Sequence, residues 1–273
     1  MVIQPDTRTR LALADLSALS FEGAAGPLSV RVASDPEPKG LYPNEDGAYD
    51  VSVPFTPCLV TCSWVVGGAT VSAQLDVVSR RICPVADVKA YRADQYQIAE
   101  RCTDDQVQAA INRAEEVIET ECRRHLQPVM RTGYVDRGTC PDRRYRNMVM
   151  GEGGYQTDLI AINSAVDDLG REIAISQVRD GSDWVDVTSL SAGGAATLSF
   201  TCGLSPIPAE AHDAVMALAA LYLAPGTEPD NATSMSTDAG VLNFVIGGVN
   251  GATSVPEVNA LISRWGLRKY VVG

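Results

Sequence analysis

The chain holds two histidines, His125 and His212, and seven cysteines, Cys58, Cys62, Cys83, Cys102, Cys122, Cys140 and Cys202. A histidine that binds a metal or moves a proton needs a partner at fixed spacing, and neither lies in an HxxxH or HExxH pattern. His125 follows Arg123 and Arg124 at the end of a helical pattern, where it reads as a surface cap rather than a base. His212 falls in the first turn of another helical pattern, where the positive end of the helix dipole disfavours a charged imidazole. The cysteines are odd in number and scattered, with no CxxC of a zinc ribbon or a thioredoxin-type site. Cys58 and Cys62 form a CxxxC, half a metal site at most. In a strand-like run the stronger reading is two small core residues. Asp104–Asp105 and Asp167–Asp168 are adjacent acids, better explained by helix capping and by a turn than by general acid–base work. The glycines of GEGGY at 151–155 have no helix after them, and no nucleophile elbow or phosphate loop occurs. The expectation is a chain that is not an enzyme and has no catalytic residues, cofactor or metal site.

One charge feature stands out. Arg123, Arg124, Arg131, Arg137, Arg143, Arg144 and Arg146 share a stretch with only two acids, Asp136 and Asp142. Arginine without lysine suits bidentate pairing with carboxylate or phosphate. Two readings stay open, a solvated loop and a contact with an acidic partner or a passing phosphate backbone. Tyr134 and Tyr145 are the aromatics between them, too few to imply base stacking. The 273-residue chain as a whole carries a formal net charge of −12, which excludes a general nucleic-acid binder. Hydrophobic residues make up 45% and charged residues 21%, a globular composition. The longest apolar run, AVMALAALYLA, is too short for a bilayer, which takes about 20 residues, and the first residues lack a signal-peptide core. A protein made in a cytoplasm, with no membrane partner, is expected.

The elements that must position these residues change character along the chain. Residues 11–80 alternate with a period of two in PLSVRVAS, GAYDVSVPF, CLVTCSWVV and ATVSAQLDVV, with Gly67-Gly68 marking a hairpin. A small β-sandwich over 1–82 follows, immunoglobulin-like in architecture only, with Trp64 in the buried-tryptophan role. Residues 83–100 read as a linker. Thr103-Asp-Asp-Gln106 is a capping box, and Val107, Ala110, Ile111, Ala114, Val117, Ile118 and Cys122 share one face of the helix it opens, which Pro128 closes. Replacing Thr103 with alanine is expected to cost about 1 kcal/mol. From about 130 to 205 the pattern returns to strands, as an insertion in a helical domain spanning 101–226. A second helix, apolar on nearly every side, occupies PAEAHDAVMALAALYLA, and residues 227–273 form an arm ending in a helix from Pro256 to about Trp265, with Ser254 as N-cap. The fold class expected is therefore α+β.

Within that arm, STDAGVLNFVIGG at 236–248 is poor in charge and loosely alternating. It reads either as an internal strand joining the 155–205 sheet or as a strip whose edge pairs with another chain. The tail RWGLRKYVVG has the aromatic and arginine content of interface anchors, with Trp265 as a core residue the competing account.

The order of these parts resembles the head-to-tail adaptor, or head–tail connector, proteins of long-tailed bacteriophages, especially those of actinobacterial hosts. The resemblance is carried by TDDQVQAAINRAEEVIETECRRHL, AEAHDAVMALAALYLA, ATSMSTDAGVLNFVIGG and SVPEVNALISRWGLRK, and covers roughly residues 100–273. Ser236, Thr237, Asp238, Ala239 and Gly240 match the family's Thr/Ser-rich strip with its Asp-Ala-Gly step. Pro256, Glu257, Val258, Asn259, Ala260 and Leu261 match its Pro-Glu-Val helix start. The resemblance implies a structural virion protein at the head–tail neck. It implies a homo-oligomeric ring, commonly a dodecamer, below the portal. Such a ring extends the DNA channel, touches passing genomic DNA non-specifically and receives the stopper or a tail protein. The C-terminal segment would pack on the portal, which makes Asp238, Gly240, Leu242, Phe244, Ile246, Trp265, Leu267, Arg268, Lys269 and Tyr270 the expected portal or neighbour contacts. Two alternatives stay open: another phage neck or tail-completion protein, and a carbohydrate-binding β-domain protein.

Overall fold

The computed structural model describes residues 2–33, 37–137, 146–151, 154–155, 157–179, 183–191, 193–224, 234–237, 240–243, 253 and 255–267. The fold is α+β, with helices and several sheets. Two compact units form, Met1–Arg81 with Gln127–Ser205, and Ile82–Leu126 with Pro206–Gly273. The strand-rich stretch after residue 127 therefore packs with the N-terminal strands, where the sequence pattern places it as an insertion in the helical part.

The first unit opens with β1 (Val2–Ile3), β2 (Arg8–Ala12), β3 (Ser20–Phe21), β4 (Leu28–Val32), β5 (Lys39–Leu41), β6 (Cys58–Val66) and β7 (Ala69–Val78). Five of these make a sheet in the order β2-β7-β6-β4-β5, with β2 and β7 parallel, while β1 and β3 form a separate two-stranded parallel ladder. The β6–β7 hairpin turns on Gly67 and Gly68, both at positive φ, the conformation a two-residue hairpin loop requires and glycine adopts without strain. Alternate residues of β6 and β7 point to one core: Cys58, Val60, Cys62 and Trp64 meet Ala73, Leu75 and Val77. Phe21 packs edge-on against Tyr49 and Trp64 at 5.5 and 5.2 Å between ring centres. Trp64 is buried as expected, its Nε1–H donating to the Glu22 carbonyl at 2.9 Å. The expected strand over 47–55 is reduced to a single bridge, Tyr49 with Leu19. Its alternation is nonetheless used, since Tyr49 and Val51 are core residues.

The same unit continues with β8 (Val129–Asp136), β9 (Arg146–Met148), β10 (Met150–Gly151), β11 (Gly154–Tyr155), β12 (Leu159–Asp167), β13 (Ser176–Gln177), β14 (Trp184–Asp186) and β15 (Ala195–Cys202). They form a five-stranded sheet, β11-β10-β8-β15-β12, and a three-stranded one, β13-β14-β9. Gly133 lies opposite Gly151, and a Cβ there would stand 2.4 Å from the Met150 carbonyl oxygen, so only glycine lets β10 approach β8. An ionic cluster links this sheet to the N-terminal one. Asp76 on β7 accepts from Arg8 Nε at 3.1 Å and from Arg131 Nη1 of β8 at 2.7 Å. Burial pushes the Asp76 carboxyl up, but the guanidinium groups of Arg131, Arg8 and Arg10 outweigh it and hold it below the usual carboxylate value.

The second unit contains α1 (Val85–Ala90), α2 (Ala93–Tyr96), α3 (Ile98–Arg101), α4 (Asp104–Cys122), α5 (Ala209–Leu223), β16 (Ser234–Thr237), β17 (Gly240–Asn243) and α6 (Pro256–Trp265). Where a linker is expected over 83–100, the chain makes three short helices, with Val88 and Ile98 buried. The capping box of α4 forms as expected: Thr103 Oγ1 accepts from the Gln106 N–H, and Gln106 Oε1 from the Thr103 N–H at 2.9 Å. The helix stops earlier than Pro128 suggests, at Arg123, whose left-handed backbone (φ 57°) breaks the ladder. Its buried face includes Gln108, Glu115 and Glu119 beside the apolar set, and Val117 is only half-buried. Gln108 donates to Asn112 at 3.0 Å, and Glu119 accepts from the Leu126 N–H at 3.0 Å. On α5 itself Ala211, Ala214, Val215 and residues 217–220 are buried, as its apolar circumference predicts.

Candidate functional site

The elements that bear the expected contacts are β16, β17 and α6, all in the second unit. The hairpin pairs Ser234 with Asn243, Met235 with Leu242, Ser236 with Val241 and Thr237 with Gly240. The ladder has no third strand among the described residues, and the hairpin is not a member of the sheet formed by β8, β15 and β12. A two-stranded ribbon keeps one row of N–H and C=O groups on each outer edge, and alone it is marginally stable at best. Gly240 and Leu242 lie on β17. Asp238, Phe244, Ile246, Arg268, Lys269 and Tyr270 lie outside the described residues.

The last helix is fastened to its own unit. Its start has Val255 in the cap position and Pro256 as first helical residue, whose missing N–H costs nothing there. The expected cap, Ser254, lies outside the described residues; Thr253 Oγ1 accepts from the Val255 N–H at 3.2 Å, a bond that fixes the entry turn without capping the helix. Asn259 then locks the entry loop, donating to the Thr253 carbonyl at 2.7 Å and accepting from its N–H at 3.0 Å. Val258 and Leu261 are buried, worth about 2 kcal/mol each. Arg264 pairs with Glu210 of α5.

One expected contact residue, Trp265, meets an arginine of the cluster, and another, Leu267, meets the end of α4. The Trp265 carbonyl accepts from Arg124 Nη1 at 2.9 Å, and the Leu267 N–H donates to the Cys122 carbonyl at 3.0 Å, so the end of α6 caps the C-terminus of α4. Trp265 is half-buried beneath the Arg264 guanidinium at 5.7 Å, and its Nε1 is buried without an acceptor among the described residues.

Four of the seven expected arginines have described surroundings. Arg123 ends α4, Arg124 holds Trp265, Arg131 joins Asp76, and Arg137 donates to the Leu190 carbonyl. Arg143 and Arg144 lie outside the described residues, and Arg146 is described only as a residue of β9. An acidic partner for Arg131 exists, but within the chain.

The groups that could do chemistry have structural surroundings. Burial pushes the Cys58 and Cys62 thiols up to about 12, and both side chains lie in the core of the first unit. Asp167 closes the β12 turn, its carboxylate accepting from the Leu169 and Arg171 N–H groups and from Arg171 Nε, which lowers its pKa. Asp104 meets Lys89 of α1. His125 Nδ1 lies 2.8 Å from Glu119, whose other oxygen accepts from the Leu126 N–H at 3.0 Å. His212 departs from expectation. It stands between Asp213, 3.0 Å from Nδ1, and Asp87, 2.9 Å from Nε2, and hydrogen bonds to both raise its pKa above the ordinary value despite the helix dipole. Two carboxylates at contact distance outweigh a partial charge spread over a helix end. Asp87 and Asp76 escape notice in the sequence. The only local signal for Asp76 is a lone acid inside the apolar alternation of AQLDVV.

No protein-family model matches the chain, and no curated protein sequence does. Solved structures that superpose on it include a chain from the virion of a native gene transfer agent particle, at 18% identity and a TM-score of 0.45. Another comes from the neck of an empty gene transfer agent particle with C6 symmetry, at 20% identity and a TM-score of 0.37. Each alignment covers 70% of this chain and 93% of the other. Superpositions this loose carry no argument about function.

Proposed function

We propose that the chain is a structural component of a bacteriophage neck, a head-to-tail adaptor that assembles as a ring on the portal and passes the DNA channel on to the stopper or tail. The observation that carries this reading is the hairpin of β16 and β17, which pairs only with itself among the described residues. Strand addition from another chain would satisfy its outer edges, and it would do so through backbone groups, with little demand on side-chain chemistry. The motifs around it, Ser236 to Gly240 and, opening α6, Pro256 to Leu261, are those that resemble the adaptor family. The acidic balance of the chain fits a channel along which DNA slides, because strong phosphate pairing would retain it. Helix α6 acts as the foot of the arm in this reading: it is anchored on α4 and α5, and the hairpin before it reaches the neighbour.

The test is native mass spectrometry of the chain with isolated portal rings. One variant has Ser234–Asn243 replaced by a glycine-serine linker of equal length, so that α6 stays in place. The wild-type chain is expected to load onto the rings, and the variant to keep its circular dichroism spectrum yet fail to load. Equal loading by both chains removes the role of the hairpin; no loading by either removes the adaptor assignment.

A further inference from the structure

A second device lies away from the hairpin, in the packing of α1. This helix has six residues, only Val88 of them buried, and no side chain caps its start. Two polar ties supplement that small contact. Lys89 reaches Asp104 at the head of α4, and Asp87 reaches His212 on α5, Oδ2 to Nε2 at 2.9 Å. The other ring nitrogen of His212 faces Asp213 Oδ1 at 3.0 Å.

A carboxylate can only accept a hydrogen bond, and a neutral imidazole has one donor nitrogen and one acceptor nitrogen. Both contacts are hydrogen bonds only if both ring nitrogens carry protons. We propose that His212 is a pH-operated clasp, whose imidazolium ties α1 to α5 and whose loss of the Nε2 proton to solvent loosens α1. In the neutral ring one nitrogen lone pair must face a carboxylate oxygen, so one of the two ties turns repulsive.

The surroundings favour the charged ring. Asp213 on its own helix and Asp87 on α1 touch it. Glu115 on α4 is buried, and its charge, with those of Asp87 and Asp213, falls on the Cys83 thiol just before α1. Burial and these acids push that thiol up to about 12, so Cys83 stays neutral where His212 titrates. From α6, Arg264 is engaged with Glu210. Of the two ties of α1, the histidine one is that with an imidazole, the side chain whose charge changes near neutral pH. The sign follows from the raised pKa. The contribution of the clasp is complete below the unfolded value of about 6.5 and is lost as pH rises through the folded value.

The proposal is independent of the adaptor reading, and it is tested on the full chain. With two histidines, imidazole resonances are assignable by comparison with a His125→Gln variant. His212 is expected to titrate above about 6.5, and Asp87→Asn to lower its midpoint while leaving His125 in place. Hydrogen exchange, corrected for its intrinsic pH dependence, is expected to show protection of the α1 amides falling through the wild-type His212 midpoint. In His212→Gln that protection is low and flat with pH. A midpoint at or below about 6.5, no response to Asp87→Asn, or α1 protection that ignores the midpoint in the wild-type chain overturns the proposal, and the last reading needs no variant to fold.

Discussion

At the scale of single residues, the ionisable groups of this protein serve packing. Asp76 is the clearest case. A lone carboxylate that is only 5% exposed is tolerable because Arg8 and Arg131 meet it directly and Arg10 adds its charge. Removing one partner of such a group leaves the others buried without compensation. Asp76→Asn is expected to cost about 3 kcal/mol at neutral pH, measured by urea unfolding. Since the native carboxyl is held below its ordinary value, its contribution is present above the unfolded pKa and lost as pH falls through the folded one. The gap between Asp76→Asn and wild type should therefore narrow as the acid range is entered; a gap independent of pH contradicts the ion-pair account. The strand pattern around Asp76 was readable from alternation. Its partner Arg131, 55 residues later, was not, because no local rule joins two strands of different sheets.

At the scale of elements, start and stop signals differ in legibility. The capping box at Thr103 acts over three residues, and the α4 start follows it. Thr103→Ala is expected to lower stability by about 1 kcal/mol, seen as a shifted urea midpoint with an unchanged slope; no shift would mean that the hydroxyl bond contributes nothing. The end of the same helix was missed because a non-glycine residue, Arg123, takes the left-handed conformation that the sequence pattern assigns to glycine. Local bonds hold it there, the Arg123 N–H on the Thr120 carbonyl at 3.3 Å and the Arg124 N–H on the Glu119 carbonyl at 3.2 Å, while the Leu267 N–H on the Cys122 carbonyl and Arg124 on the Trp265 carbonyl add contacts from far along the chain. The short helices over 85–101 were read as linker because four to six residues are too few to show a helical period. At the candidate site the strip before Gly248 was legible as strand-like. Its closure as a hairpin on itself was not, since alternation does not name a strand's partner.

At the scale of the whole molecule, charge and connectivity dominate. A chain of net charge −12 lacks the positive surplus that counterion release needs, and Arg124, Arg131 and Arg137 are each engaged within the chain. The free protein is expected to leave duplex DNA unshifted in gel electrophoresis at about 0.15 M salt. A salt-sensitive shift there would reveal a positive face and revive the phosphate reading of the arginine stretch. The organisation into two discontinuous units shows where sequence reasoning ends. Composition, alternation, helical period and capping chemistry are local, and by themselves they determined the α+β class, the strands β4, β6 and β7, the return to strands after about residue 130, and the helices α4, α5 and α6. Only the tertiary structure decided that residues 127–205 join the N-terminal strands, that Asp76 finds Arg131, that His212 sits between two carboxylates and that α6 folds onto α4 and α5. These are pairings between segments distant in the chain, and their free energy depends on which surfaces meet, a quantity no local pattern of residues contains.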